Sequence, residues 1–233
     1  MILTTEAIVL HARRHGDSSR IVTLYTRELG KVGVVAKGAR TTKSAFGSAM
    51  EPLSHIRCTV YHRPMKDLHT VAKAELLHPM RRLGSHLELL RSGLLMCEYV
   101  MKTQKQEQAD STVFDLLSSA LHRLNDEDPS TAYGVSVGFR CALANVMGFG
   151  LPLGEPPIGT VVRIGLTDGV ARRDGEDGLR CSRTAYDLLC MCARGEGCTM
   201  SHSDELEIES LLSLYFSHHL DIRVVSTVAT SLR

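Results

Sequence analysis

The chain has no tryptophan, and its 233 residues include only five Phe and six Tyr. Recognition built on stacked aromatic rings therefore has few residues to draw on, and any polyanion bound here is held mainly by charge. Long apolar runs are missing too. The longest stretch without Asp, Glu, Lys or Arg is Cys141 to Gly154, fourteen residues, where a membrane-spanning helix needs about 18 or more. The N-terminus places Glu6 before any cation and has no signal-peptide pattern, so a cytoplasmic protein without membrane contact is expected. Catalytic signatures are also sparse: there is no G-x-x-x-x-G-K-[ST] loop, G-x-G-x-x-G or H-E-x-x-H. Ser19 in Gly16-Asp17-Ser18-Ser19 has no identifiable base and reads as part of an Asp-Ser turn. Binding rather than catalysis is the expected work. Seven cysteines, an odd number spread through apolar stretches, fit reduced core residues better than a disulfide framework.

Charge is present but divided. Residues 1–80 hold 12 cations against 6 anions, and residues 81–233 hold 15 against 20. The first part is therefore basic by six charges and the second acidic by five. Six of the eleven His also lie in the basic part. A basic segment of this kind calls for an anionic partner.

That segment alternates with period two. Ala7 to His11, Arg20 to Thr26, Gly30 to Ala36, Ile56 to Tyr61 and Leu68 to Leu77 read as five short strands with little helix between them. Five such strands in about 80 residues suggest a small closed barrel, often an oligonucleotide-binding one. A basic turn, Arg13-Arg14-His15-Gly16-Asp17-Ser18, follows the first strand. A basic loop carrying Lys37, Arg40 and Lys43 follows the third. The candidate nucleic-acid contacts are Arg13, Arg14, Arg20, Lys31, Lys37, Arg40, Lys43, Arg63 and Lys66, with Phe46 as a stacking residue. Lys73 reads as a solvated strand position and Tyr25 as core.

Past Pro79 the period becomes helical. Leu83, Leu87, Leu90, Leu94, Leu95 and Tyr99 mark a first helix to Met101. Ser111 to Leu124 forms a second, capped by Ser111 or Thr112, with a stripe of Phe114, Leu117, Leu121 and Leu124. Ser130 to Met147 forms a third, ending at Gly148-Phe149-Gly150. Residues 154–183 break the pattern as an irregular hairpin-like insert, and helices resume over Arg183 to Ala193 and Ser203 to His219, the latter capped by Ser203. His218-His219 suit a helix C-terminus. Asp221 to Arg233 fits neither period. Cys190, Cys192, Cys198 and His202 are spaced unlike a common zinc pattern and read as helix and loop residues. The fold class is thus α+β, with a barrel over residues 1–80 and a helical domain over 81–233.

Several segments resemble one family. Thr5-Glu6-Ala7-Ile8-Val9-Leu10, Gly16-Asp17-Ser18-Ser19, Leu24-Tyr25-Thr26-Arg27-Glu28-Leu29-Gly30 and Val35-Ala36-Lys37-Gly38-Ala39-Arg40 are similar to the N-terminal signature of the RecO recombination mediators. Gly47 with Met50-Glu51-Pro52-Leu53, and Gly148-Phe149, fit the same family. The resemblance implies an N-terminal OB-fold followed by an α-helical domain. It also implies DNA repair and recombination through binding of single- and double-stranded DNA, annealing of complementary strands, and work with RecR and single-strand-binding protein that lets RecA load. Nucleoid-associated location in the cytoplasm follows from the same likeness. Arg123 and Arg140 are the candidate contacts for the tail of single-strand-binding protein. Many family members carry two Cys-x-x-Cys pairs in the insert. Here the first region reads Gly154-Glu155-Pro156-Pro157-Ile158-Gly159, and the second keeps only Cys181 with Thr184 where its partner would stand. One thiol does not hold a structural zinc, so no metal is expected in the insert, and no cofactor or metal is expected in the chain. Two other readings of the residues stand beside this one: an RNA-binding OB module, and a protein-interaction scaffold with little nucleic-acid contact.

Overall fold

The computed structural model describes residues 1–41, 44–64 and 66–220. Five strands, β1 (Ile2–His15), β2 (Ser19–Thr26), β3 (Gly30–Ala36), β4 (His55–Tyr61) and β5 (Leu68–His78), close into a barrel of order β1-β2-β3-β5-β4. All neighbours run antiparallel except β3 and β5, which pair in parallel from Gly33↔Leu68 to Val35↔Thr70. This is the small closed barrel expected from the alternation, and the OB-fold that the family resemblance implies.

Strand β1 is long enough to serve two neighbours. Its first half pairs with β4 and its second with β2, and a register shift between Val9 and His11 marks a bulge at Leu10. The bulge lets Val9 face the interior and His11 the outside although the two are two residues apart and a regular strand would point them the same way. Ala7, Val9, Val22, Leu24, Val32, Val34, Cys58, Val60 and Val71 fill the interior. The stretch Arg13-Arg14-His15, expected as a turn, is strand, and only Gly16 to Ser18 turn the chain.

Among the described residues five α-helices follow: α1 (Leu87–Thr103), α2 (Ser111–Asp126), α3 (Ala132–Val146), α4 (Arg183–Ala193) and α5 (His202–Leu220). Helix α3 is central, with α1, α2 and α4 against it. Gly138 permits the closest approach: a Cβ there would stand 2.4 Å from the Cys192 carbonyl oxygen of α4. Between α3 and α4 lies a three-stranded sheet of order β7-β6-β8, made of β6 (Val161–Ile164), β7 (Ala171–Arg173) and β8 (Leu179–Ser182). The insert therefore holds the expected hairpin plus one further strand.

Helix ends differ from expectation where caps decide them. Asp110, rather than Ser111 or Thr112, caps α2, accepting from the amides of Thr112 and Val113. Ser201, rather than Ser203, opens α5, its Oγ accepting from the Asp204 amide while Asp204 accepts from the Ser201 amide. Helix α1 starts at Leu87, so Leu83 is buried in the preceding turn and Leu87 is exposed. Its buried face runs through Leu89, Gly93, Met96, Cys97 and Val100. The stripe of α2 is as expected: Phe114, Leu117, Leu121 and Leu124 are all buried. At the other end of α5, the His219 ring stacks on Phe149 at 4.7 Å. Asp221 to Arg233 lie outside the described residues.

The barrel and helices share one apolar core. Ile8, Leu10, Tyr25 and Leu53 belong to the same buried cluster as Leu89, Phe114 and Leu121. The segment linking α1 to α2 seals this junction. The Tyr25 hydroxyl donates to Gln104 and to the Asp110 carbonyl, and the Glu107 amide donates to the Lys31 carbonyl at 2.9 Å. Arg27 pairs with Asp115 at 2.6 Å and lies over the Phe114 ring.

Candidate nucleic-acid interface

The outer face of β1-β2-β3 is covered at one end and open at the other. Strand register places Ile8, Tyr25 and Lys31 in outward rows near the α1–α2 connection, where the helical part buries Ile8 and Tyr25. Further along the same face stand His11, Arg13 and His15 of β1 and Lys37 just past β3, all exposed, around half-buried Ile21, Thr23 and Val35. The face is thus an apolar floor rimmed by cations.

Arg40 ties its edges together. Its guanidinium donates to the Gly16 carbonyl and its amide to the Ser18 carbonyl, each at 2.9 Å. These bonds fasten the β1–β2 turn to the segment leaving β3. Arg13, Arg14 and Lys37 consequently sit at one end of the barrel. Arg13 and Lys37 have no ion-pair partner among the described residues, and neither has Arg14. Arg14 stands opposite Arg20 in register, on the row that leads into the interior. Arg20 is paired with Glu51 at 2.7 Å and so offers less free charge.

Other candidates fall elsewhere. Lys43 lies outside the described residues. Phe46 is not a stacking platform: it is 8% exposed and packs into the barrel interior with Ala49 and Met50. The loop after β3 is therefore partly a plug, because the barrel end needs apolar cover that a solvated loop would leave open. Lys31 is likewise not a free cation. Its ammonium donates to the Met101 carbonyl at the end of α1, and burial lowers its pKa. Arg63 and Lys66 are exposed, but they precede β5 while Lys37 follows β3. Because those strands run parallel, the two groups stand at opposite ends of the ladder. Lys73 is a solvated strand position beside Glu75 at 3.3 Å.

The two helical candidates separate sharply. Arg140 is fully buried, paired with Glu209 at 2.6 Å and flanked by the Tyr99 and Tyr133 rings, so it is a core residue with no surface to offer a partner. Arg123 is exposed and donates to the Gly195 carbonyl at 2.9 Å. It borders a groove of about 300 Å³ floored by Leu116, Ala120, Val135 and Phe139, with Arg194 across the rim. Sequence periodicity gives no sign of this groove, since its walls come from α2, α3 and the end of α4.

Metal-ligating side chains meet in two places that the sequence reading did not single out: His55 with His78 and His122, and His62 with His69 and Glu107. In the second group Glu107 accepts from His69 at 2.7 Å and from His62 at 3.2 Å. Desolvation pushes the Glu107 pKa up, but the two imidazole hydrogen bonds outweigh it and hold the carboxyl below its ordinary value. Cys192 and Cys198 bring their sulfurs within 3.3 Å, and burial raises the Cys192 thiol pKa. The five strands and their basic loops were accessible from alternation and charge; the strand order and the histidine clusters required the tertiary fold.

A closed five-stranded barrel with an open cationic face, backed by a helical domain, defines an OB-fold protein of the nucleic-acid-handling class. Comparison with known proteins is more specific. Residues 1–80 match the family described as recombination protein O N terminal, and residues 85–155 match recombination protein O C terminal. The chain is 31% identical over 232 residues to the DNA repair protein RecO of Salinibacter ruber, an alignment covering 94% of this chain and 89% of that relative. To the RecO of Symbiobacterium thermophilum it is 29% identical over 248 residues, covering 97% and 95%. To that of Chloroherpeton thalassium it is 34% identical over 125 residues, covering 54% and 48%. The chain belongs to the RecO family of DNA repair proteins. DNA repair and recombination is accordingly its field of action. Among the described residues no helix is long and apolar enough to cross a membrane.

Proposed function

We propose that this chain is a non-catalytic recombination mediator that binds single- and double-stranded DNA on the open end of the β1-β2-β3 face and anneals complementary strands. The observation that carries this reading is the convergence of Arg13, Arg14 and Lys37 at one barrel end, fastened by the two Arg40 bonds. A phosphate backbone tracking across the floor of Ile21, Thr23 and Val35 would meet cations on both sides. The lack of an exposed aromatic there makes the binding electrostatic and weakly dependent on sequence, which suits a protein that pairs strands of any sequence. Acting with RecR, the protein would deliver single-strand-binding-protein-coated DNA to RecA.

The groove beside Arg123 supports the second contact. An apolar floor between Arg123 and Arg194, whose surface pairings with Glu127 at 3.4 Å and Glu196 at 2.6 Å an incoming carboxylate would have to replace, complements an acidic, apolar peptide, and the tail of single-strand-binding protein has that chemistry. Arg123→Glu should weaken that peptide's binding by at least tenfold while DNA binding by the barrel stays.

The test uses the whole chain with a labelled single-stranded oligonucleotide over a salt series. A log–log slope near −2 to −4, from roughly three to five phosphate contacts at ~0.7 each, is expected. Arg13→Glu with Lys37→Glu should flatten it. A flat wild-type slope, or a slope untouched by the pair, would move the reading to the protein-interaction scaffold. Preferential binding of RNA over DNA of matched sequence would instead favour the RNA module.

A further inference from the structure

We propose that His55, His78 and His122 form a zinc-class metal site that ties the barrel to helix α2. Their ligating nitrogens all lie within 4.8 Å of one another. His55 opens β4 and His78 ends β5, where the two are partners in register. His122 reaches them from the helical side. The three rings lie 4.9 to 5.4 Å apart between centroids, and none is stacked flat on another. A tetrahedron with zinc–nitrogen distances of about 2.0–2.1 Å needs nitrogens about 3.4 Å apart, so modest inward rotation of the rings closes the site.

Two observations point to a ligand beyond mere proximity. His55 is 5% exposed, and neither of its ring nitrogens has a hydrogen-bond partner in the protein. A buried imidazole left in that state calls for an explanation, and coordination supplies one. His122 holds its Nδ1 at 2.8 Å from the Ser118 carbonyl oxygen, so Nδ1 donates there and Nε2 keeps the lone pair. A backbone carbonyl fixing the distal N–H is the usual support of a ligating histidine. Glu6 Oε2 lies 3.8 Å from His55 Nε2 but stands outside the three-imidazole cluster, with its other oxygen 3.6 Å from Arg57, so the fourth position is left to solvent. Three neutral imidazoles favour zinc, copper, nickel or cobalt over calcium or magnesium. Exposed His78 gives the ion its way in.

The other histidine group lacks these features. There the Arg63 amide donates to His69 Nδ1, which leaves the proton on Nε2, and that proton serves Glu107. Its polar atoms already satisfy one another. It therefore provides the internal control.

The experiment takes the untagged full chain, stripped with chelator, and titrates it with Zn²⁺ by calorimetry and with Co²⁺ by visible absorption. One equivalent per chain is expected, with the visible bands of tetrahedral cobalt, no sulfur-to-cobalt charge transfer, and a melting temperature that rises with zinc. His78→Ala and His122→Ala should each weaken binding by about tenfold or more and remove the zinc-dependent rise, whereas His62→Ala should do neither. His122→Gln replaces His122→Ala if that variant fails to fold in chelator. Absence of saturable binding would overturn the site, as would binding indifferent to His122. Sulfur charge-transfer bands would assign the ion to cysteines such as Cys192 and Cys198, and equally end the proposal.

Discussion

Arg140 shows how a single residue can be moved from the surface to the core by its partners. Burial alone would lower its pKa, but Glu209 and the facing Tyr133 and Tyr99 raise it well above the ordinary value, so it stays charged. Glu209 is the converse: burial pushes its pKa up, Arg140 and the hydrogen bonds around it push further down, and the net is below the ordinary value. Removing one member of such a pair strands the other in a dry interior. Arg140→Met should cost about 3–5 kcal/mol in urea unfolding, and adding Glu209→Leu should return part of it. The pH dependence has a definite sign. A folded pKa below the unfolded value of 4.5 gives stability that is full above that value and lost as pH falls through the lower folded one. The acid limb of a stability–pH curve should therefore flatten in Glu209→Gln. Phe46 belongs to the same scale. As a barrel plug, Phe46→Ala should cost ~3–5 kcal/mol and leave the salt slope of DNA binding as it was; an unchanged stability with weakened DNA binding would restore the stacking role.

Between elements, the decisive contact is that of β3 with the α1–α2 connection. Gly30 has φ +69°, and a Cβ there would stand 2.0 Å from the Gln108 carbonyl oxygen. Only glycine meets both conditions. Gly30→Ala should destabilise by more than about 1 kcal/mol, and hydrogen exchange should show the Glu107 amide losing protection, since it donates to Lys31 next door. Exchange unchanged at Glu107 would mean that the connection holds without this strand. Why some elements were legible in the sequence and others not follows from such contacts. The stripe of α2 could be read because each of its apolar residues meets a core of ordinary depth. The buried face of α1 could not, since it includes Ser92 and Gly93, small because Leu53 of the barrel presses there: a Cβ at Gly93 would meet Leu53 at 3.0 Å. Its start was also hidden, as His86 at the N-cap makes no side-chain hydrogen bond. Strand β8 is four residues long and gains its identity only by pairing with β6. On the barrel, alternation pointed to the strands that are found, and charge picked out Arg13, Arg14 and Lys37, which the fold leaves exposed. They did not show that Phe46 turns inward or that Lys31 is spent on Met101, because both facts depend on what covers the barrel.

At the scale of the molecule, the split of charge into a basic barrel and an acidic helical part is not a split of the core. Ile8, Leu10, Tyr25 and Leu53 lie under the helices in one cluster with Leu89 and Phe114. Cutting after residue 80 would return all four to water. At about 1.5–3 kcal/mol for each large apolar side chain uncovered, the loss is roughly 6–12 kcal/mol, comparable to the whole stability of an ordinary domain at about 5–15 kcal/mol. Residues 1–80 alone should therefore self-associate or fail to unfold cooperatively, though the barrel topology is complete within them. The full chain should instead melt in one transition, with calorimetric and van't Hoff enthalpies in agreement. Replacing Ile8 and Tyr25 with polar residues should make the excised barrel more soluble and the full chain less stable, since the same surface serves as liability in one and as core in the other. A monomeric, cooperatively melting fragment of unaltered sequence would show that the helices shield the barrel without sustaining it, and the DNA-binding face could then be studied on the barrel alone.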